Sequence, residues 1–109
     1  MLKPIALHTL LALADRDNYG YALMQTIREQ SDGAVAVQTA SFYRHLASLI
    51  DEGLVAEASA RRAIEDPRRG AYYRITPKGR QVLLAEKRRL TALVSQMNKV
   101  RLTPRKAES

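Results

Sequence analysis

The stretch TASFYRHLASLIDEG, from Thr39 to Gly53, places the tightest limit on what this chain can fold into. Set on a helix, Phe42, Leu46, Leu49 and Ile50 fall at i, i+4, i+7 and i+8, which is one face of a 3.6-residue period and belongs in a core. The opposite side carries Ser41, Arg44 and Ser48, with His45 on one flank and Tyr43 on the other. Asp51 and Glu52 lie near the C-terminal end. Thr39 or Ser41 is placed to cap this helix and Gly53 to end it. Short hydroxyls, an arginine and a histidine over the first half suit entry into a DNA major groove by that end. An ordinary amphipathic surface helix shows the same pattern, so the neighbouring segments have to decide.

Upstream, Pro4 suits the first turn of a helix that runs on from Ile5 to Ala14, until Asp15-Arg16-Asp17-Asn18 breaks the apolar pattern. Its apolar residues form two stripes, Leu2, Ala6, Leu10 and Leu13 on one side, Leu7, Leu11 and Ala14 on another. A small domain covers one such stripe, so a second chain is expected over the other. Asn18 is expected to cap a second helix from Tyr19 to about Gln30, with Ala22, Leu23, Ile27 and Tyr19 facing inward and Ser31-Asp32-Gly33 closing it. Gly20 in the first turn of that helix costs up to ~1 kcal/mol relative to alanine, which a close approach by another helix would offset. Ala34 to Val37 reads as a very short strand. Three helices with this spacing, the last two joined by a short connection, make a helix-turn-helix variant.

Downstream, Leu54-Val55-Ala56-Glu57-Ala58 and Ala71-Tyr72-Tyr73-Arg74-Ile75 alternate at period 2 and predict a β-hairpin. The loop between them has turn chemistry at Asp66-Pro67 and Gly70 and four arginines, Arg61, Arg62, Arg68 and Arg69. A hairpin with a basic tip directly after a candidate recognition helix is a wing. Its natural task is to follow a phosphate backbone or to place an arginine in the minor groove. The simpler alternative is a solvated basic loop.

Thr76-Pro77-Lys78-Gly79 opens the last helix, with threonine as cap and proline at the first helical position. From there to about Arg101 the apolar residues Leu83, Leu90, Leu93, Met97 and Val100 include a 3-4-3 run, which is coiled-coil spacing. Such a helix is expected to leave the compact domain and to pair with its twin. The same stripe could serve as a ligand groove beside a dimer seam. These elements divide the chain into a DNA-binding unit over residues 1–80, a dimerisation helix over 81–102 and a disordered tail over 103–109.

Charge supports a polyanionic partner. The net charge is +7, but residues 1–60 hold 4 Lys/Arg against 7 Asp/Glu, net −3, whereas residues 61–109 hold 14 against 4, net +10. A basic half of that size fits nucleic acid or an acidic membrane surface. The apolar run after Lys3 imitates a secretory signal, but His8 and Thr9 interrupt it and it is continuous with the first helix. No stretch approaches the ~20 apolar residues of a spanning helix. With no cysteine to suggest an oxidising compartment, a soluble cytoplasmic protein without membrane contact is expected.

Catalytic and cofactor chemistry find no residues. The five glycines stand singly at helix ends and turns, so no phosphate-cradling loop is expected, and two histidines are too few for a zinc site without carboxylates placed to help. His8 and His45 have no serine or cysteine nucleophile motif beside them. Glu65-Asp66 sits among arginines and is more simply a set of internal charge partners than an acid/base pair. No cofactor or metal is expected.

Four local motifs resemble the PadR family of winged helix-turn-helix transcriptional regulators. They are Tyr19-Gly20-Tyr21-Ala22-Leu23, Ala40-Ser41-Phe42-Tyr43-Arg44, Asp51-Glu52-Gly53-Leu54-Val55 and Tyr72-Tyr73-Arg74-Ile75-Thr76-Pro77-Lys78-Gly79. The resemblance spans roughly residues 4–85, and the Tyr-Tyr-x-Ile-Thr-Pro-x-Gly string is its most specific part. The chain departs from the family at the start of the recognition helix. Where the family has Gly-Thr-Leu-Tyr, this chain has Ala40-Ser41-Phe42-Tyr43, keeping a hydroxyl and a core contact but losing the glycine. The resemblance implies a place near the DNA backbone for Tyr43. It also implies the short branch of the family, with one C-terminal dimerisation helix, and a dimeric repressor that binds a palindromic operator and leaves it when a small effector binds. The fold class that follows is mainly α with a small β-hairpin: a winged helix-turn-helix domain plus a long C-terminal dimerisation helix.

Two functions compete on this reading. In the first, Thr39, Ser41, Tyr43, Arg44, His45, Ser48, Arg61, Arg62, Arg68 and Arg69 meet double-stranded DNA, while Leu7, Leu11, Leu83, Leu90, Leu93, Met97 and Val100 build a homodimer. In the second, the winged helix is a protein–protein interaction module, and the net −3 of the first 60 residues is its support.

Overall fold

Proline at the first helical position and an almost unbroken apolar sequence start the first helix, α1, which spans Pro4–Asp15. A computed structural model describes residues 1–35, 37–58 and 71–103. Leu10 and Leu13 are fully buried, and the buried hydroxyl of Thr9 is satisfied by donating to the Ile5 carbonyl at 2.6 Å. The second stripe of α1 is not covered by this chain: Leu7 and Ala14 are half-buried and Leu11 is exposed.

A two-residue strand, β1 (Asn18–Tyr19), leads into helix α2 (Gly20–Gln30). Leu23, Met24 and Ile27 bury its inner face, while Ala22 and Tyr19 are half-buried. The expected Asn18 cap is not formed. Its side-chain oxygen accepts from the neighbouring Tyr19 N–H and its backbone is paired in the sheet, so α2 starts without a side-chain cap. The helix ends at Ser31 in a left-handed turn: Asp32 has φ 52° and Gly33 φ 76°, and their amides donate to the Glu29 and Arg28 carbonyls.

The short strand expected over Ala34–Val37 is absent at the described residues Ala34, Val35 and Val37. Their backbone groups are used elsewhere. Ala34 N–H donates to the Ser31 carbonyl, Val35 N–H to the Ser31 hydroxyl, and the Val37 carbonyl accepts from Arg28.

Helix α3 spans Thr39–Asp51 and buries Phe42, Leu46 and Leu49, with Ile50 packed beside them. Gln38, extended at φ −102°, is the N-cap residue, and no side chain caps the helix; neither Thr39 nor Ser41 does so because both lie inside it. Gly53 ends it as expected. At φ 77° it donates to Ile50, and Leu54 N–H reaches the Leu49 carbonyl, so two terminal carbonyls are satisfied and Leu54 is turned into the core.

Strands β2 (Val55–Glu57) and β3 (Tyr72–Ile75) pair antiparallel with Val55 opposite Ile75 and Glu57 opposite Tyr73. The alternation holds, with Val55, Tyr73 and Ile75 buried and Glu57 and Arg74 exposed. Strand β1 pairs with the other edge of β3, giving the order β1-β3-β2. Helix α4 (Pro77–Asn98) opens with Thr76 accepting from Gly79 N–H at 3.0 Å. It packs on α1 through its first half, and every described residue from Thr91 onward is exposed. It ends at Asn98 rather than near Arg101, so Val100 lies past the helix. The 80/81 division falls inside α4, and residues 104–109 of the expected tail lie outside the described residues.

Candidate nucleic-acid interface

Helix α3 is fixed at both ends. At its C-terminus the Thr76 hydroxyl donates to the Gly53 carbonyl at 2.5 Å, Thr76 N–H to the Leu54 carbonyl at 3.0 Å and Lys78 Nζ to the Glu52 carbonyl at 2.9 Å. Gly79 completes this lock. A β-carbon there would overlap the Leu54 carbonyl oxygen and stand 2.7 Å from Ile75 Cγ1. Ahead of α3, Arg28 Nη2 donates to the Val37 carbonyl at 2.9 Å and ties the connection to α2. Tyr43 lies across Gly20 of α2, where a β-carbon would meet its hydroxyl; the close approach expected at that glycine is therefore made by a side chain of α3. Held in this way, α3 presents its outer face with little freedom.

The outer face divides the expected residues. Thr39, Tyr43, Arg44 and Ser48 are exposed, whereas Ser41 and His45 are half-buried. Ser41 and His45 line a cleft with Pro4, Ile5 and Val37, and His45 and Ser48 line another beside Leu2 and Lys3. Both thus sit on the flank that meets the start of α1. Ala40 and Ala47 are exposed on the outer face but are not among the DNA contacts expected from the sequence, because alanine carries no polar signal. A small apolar side chain there allows close approach to a groove floor and can meet a thymine methyl. The departure from glycine at position 40 costs no strain, since Ala40 is an ordinary helical residue and Asp32 is the one non-glycine residue at positive φ among those described.

The electrostatics grade along the helix. The first turn of α3 has no acidic residue, so its positive dipole end and Arg44 lie together, while Asp51 and Glu52 stand at the far end. This favours an anion at the N-terminal half. Behind the face, burial first, then Glu57 and Tyr43, pushes the Tyr73 hydroxyl above the ordinary tyrosine value, so Tyr73 stays a neutral core residue. The Tyr19 and Tyr72 rings meet edge-on at 4.8 Å and brace β1 against β3. Arg61, Arg62, Arg68 and Arg69 lie outside the described residues.

The model of the transcriptional regulator PadR-like family matches residues 9–85, from within α1 to the first part of α4. The chain belongs to the PadR-like family. Members of this family are transcriptional regulators, not enzymes, and membership supports DNA-binding transcriptional regulation.

Solved structures agree on the PadR-like winged-helix fold. A transcriptional regulator from Clostridium thermocellum is 24% identical, with 87% of each chain covered and a TM-score of 0.68. A PadR family transcription regulator from Clostridium difficile is 20% identical over 89% of this chain and 97% of its own, with a TM-score of 0.69. RosR from H. salinarum is 19% identical over 90% and 94%, with a TM-score of 0.63. Among curated proteins, none matches this chain.

The second surface of this PadR-like chain is a groove of about 590 Å³ between α1 and α4. Of the residues expected in a dimer seam, Leu7, Leu11, Leu83 and Leu90 line it, together with Leu84 and Val94. Leu93, Met97 and Val100 do not line it. They are exposed on or beyond the distal part of α4. Leu84 and Val94 escaped the sequence because they fall off the 3-4-3 run, though both lie on the groove side of α4. No helix among the described residues is long and apolar enough to cross a membrane.

Proposed function

We propose that this chain is a cytoplasmic homodimeric repressor that reads a palindromic operator with α3 and leaves it when a small effector binds. The observation that carries this reading is the outer face of α3. Thr39, Ala40, Tyr43, Arg44, Ala47 and Ser48 form an exposed surface with one cation and no carboxylate, on a helix locked at both ends. Arg44 is the side chain best suited to a bidentate base contact, with Ser48 beside it. Thr39 and Tyr43 suit the phosphate backbone, and Ser41 and His45 the flank nearest α1. Arg61, Arg62, Arg68 and Arg69 supply further phosphate contacts from the hairpin loop.

Uncovered apolar surface supports the dimer. Leu11, Leu84, Leu93, Val94 and Met97 are each roughly half exposed on α1 and α4, an arrangement that a second copy would bury. Its seam sets the separation of two copies of α3, which must match one turn of DNA, about 34 Å between half-sites. An effector lodged between α1 and α4 would change that separation and favour the non-binding arrangement.

Selection from a random duplex pool, at salt high enough to suppress nonspecific phosphate binding, tests the reading. The expected result is an enriched inverted repeat with half-sites one turn apart. Folded protein that enriches nothing would point instead to a protein-binding winged helix.

A further inference from the structure

Among the described residues Glu86 is the one charged side chain that is buried, at 5% exposure, and nothing in the DNA-reading account uses it. It sits on α4. Its Oε2 accepts from the backbone N–H of Leu2 at 2.8 Å and its Oε1 from Arg89 Nε at 2.5 Å. A buried carboxylate costs free energy unless its oxygens are paired, and an apolar side chain would fill the same place without that cost. What the carboxylate adds is a fixed position for the Leu2 backbone. Leu2 and Lys3 then form one wall of a cleft of about 240 Å³ whose other wall includes His45 and Ser48 of α3. The segment before α1 is thereby a strap, bonded to α4 on one side and lying along α3 on the other.

We propose that Glu86 is a positioning residue for DNA binding: it holds this strap so that the exposed Lys3 stands beside α3 as a phosphate contact. This rests on the reading of α3 as the DNA-binding helix. It also gives α4, the helix proposed to carry the dimer, a direct bond to the flank of the reading surface, besides its packing on α1.

The test uses the full chain and four substitutions. Glu86→Met removes the acceptor for Leu2 N–H, Glu86→Gln keeps one carbonyl oxygen for it, Arg89→Met removes the ion pair alone, and Lys3→Met removes the cation. Amide hydrogen exchange at Leu2 and the His45 ring resonances report the strap without DNA. Affinity for a duplex enriched by the unaltered chain, measured across a salt series, reports its use. Glu86→Met is expected to speed Leu2 exchange about tenfold or more and to shift the His45 resonances. It should also lower the salt slope by about 1.8 for the proposed dimer, the amount for one phosphate contact per protomer. Lys3→Met should lower the slope equally, and the double variant no further. Glu86→Gln should restore most of the slope, and Arg89→Met should leave it unchanged. A folded Glu86→Met chain with an unaltered slope overturns this inference alone, as does a slope lost equally in Glu86→Gln and Arg89→Met. An unaltered chain with no affinity for any duplex overturns the proposed function, and this inference with it.

Discussion

The hydroxyl of Tyr43 occupies the space into which a side chain at position 20 would grow. A β-carbon on Gly20 would overlap that hydroxyl and stand 3.0 Å from the Cε1 and Cζ atoms of the ring. Gly20 is at the first turn of α2, where alanine is intrinsically better by up to ~1 kcal/mol, so the missing side chain serves the ring of Tyr43 rather than the helix. Gly20→Ala is therefore expected to change stability by no more than about 1 kcal/mol while displacing Tyr43 and weakening DNA binding. In a Tyr43→Ala background the same substitution should have no further effect on binding. Thermal denaturation and duplex titration of the two single variants and the double separate these terms.

Gly79 meets a harder neighbour. Its α-carbon faces the Leu54 carbonyl, a backbone atom held by Thr76 N–H, and Ile75 Cγ1 closes the other side. Neither can swing away as a tyrosine can. Gly79→Ala is expected to cost about 2–4 kcal/mol, the range for forced overpacking with loss of backbone hydrogen bonds, measured by urea unfolding. By contrast, a β-carbon on Gly53 would have Lys78 Cδ at 3.8 Å, so Gly53→Ala should cost only the left-handed backbone term, about 1–2 kcal/mol.

Two groups set the pH limits. The Arg89 hydrogen bond, then the Leu2 N–H, hold the Glu86 carboxyl below its ordinary range. Its contribution is thus complete above the unfolded carboxylate value and is lost as pH falls through the lowered one. Glu86→Gln should flatten the acid limb of stability below about pH 4.5. Tyr73 is shifted the other way, by burial first. Its contribution is complete below about pH 10 and is lost as pH rises through the raised value, so Tyr73→Phe should flatten the alkaline limb. Unfolding midpoints across the pH range check both.

The groove between α1 and α4 gives a prediction about assembly. Leu11 is 47% exposed and Leu84 46%, so a charge at either disturbs little within one chain. Leu11→Glu and Leu84→Glu are each expected to leave helical content intact while converting a dimer to a 12.2 kDa monomer in sedimentation equilibrium. A dimer that persists in both variants would place the seam elsewhere.

Periodicity made the helices and the hairpin legible before any coordinates. Phe42, Leu46 and Leu49 recur at helical spacing, and Val55, Tyr73 and Ile75 alternate as a half-buried strand must. The helix ends marked by Gly53 and Thr76-Pro77 were equally plain, since each depends on one residue's own geometry. What escaped depends on partners far along the chain. Strand β1 is two residues long and exists because β3 offers an edge, so no local pattern announces it. Capping by Asn18 failed because that same edge claimed it. On α3 the polar residues were visible but not their division. His45 and Ser41 are turned toward the start of α1, and the outward Ala40 and Ala47 carry no signal that composition can show. Glu86 carries no local signal, because an isolated glutamate on a charged helix looks solvated until its partner at Leu2 is known.

Sequence reading by α3 turns on Arg44, because it is the one cation on the exposed outer face of α3 among the described residues. The most direct measurement is the ratio of affinities for an enriched operator and a random duplex, taken at one salt concentration for the unaltered chain and for Arg44→Ala. Arg44→Ala is expected to cut this ratio by about 1–3 kcal/mol per half-site, the worth of a base contact, with little change on random DNA. An unchanged ratio, with Arg44→Ala folded and dimeric as before, would contradict the assignment of α3 as the reading helix.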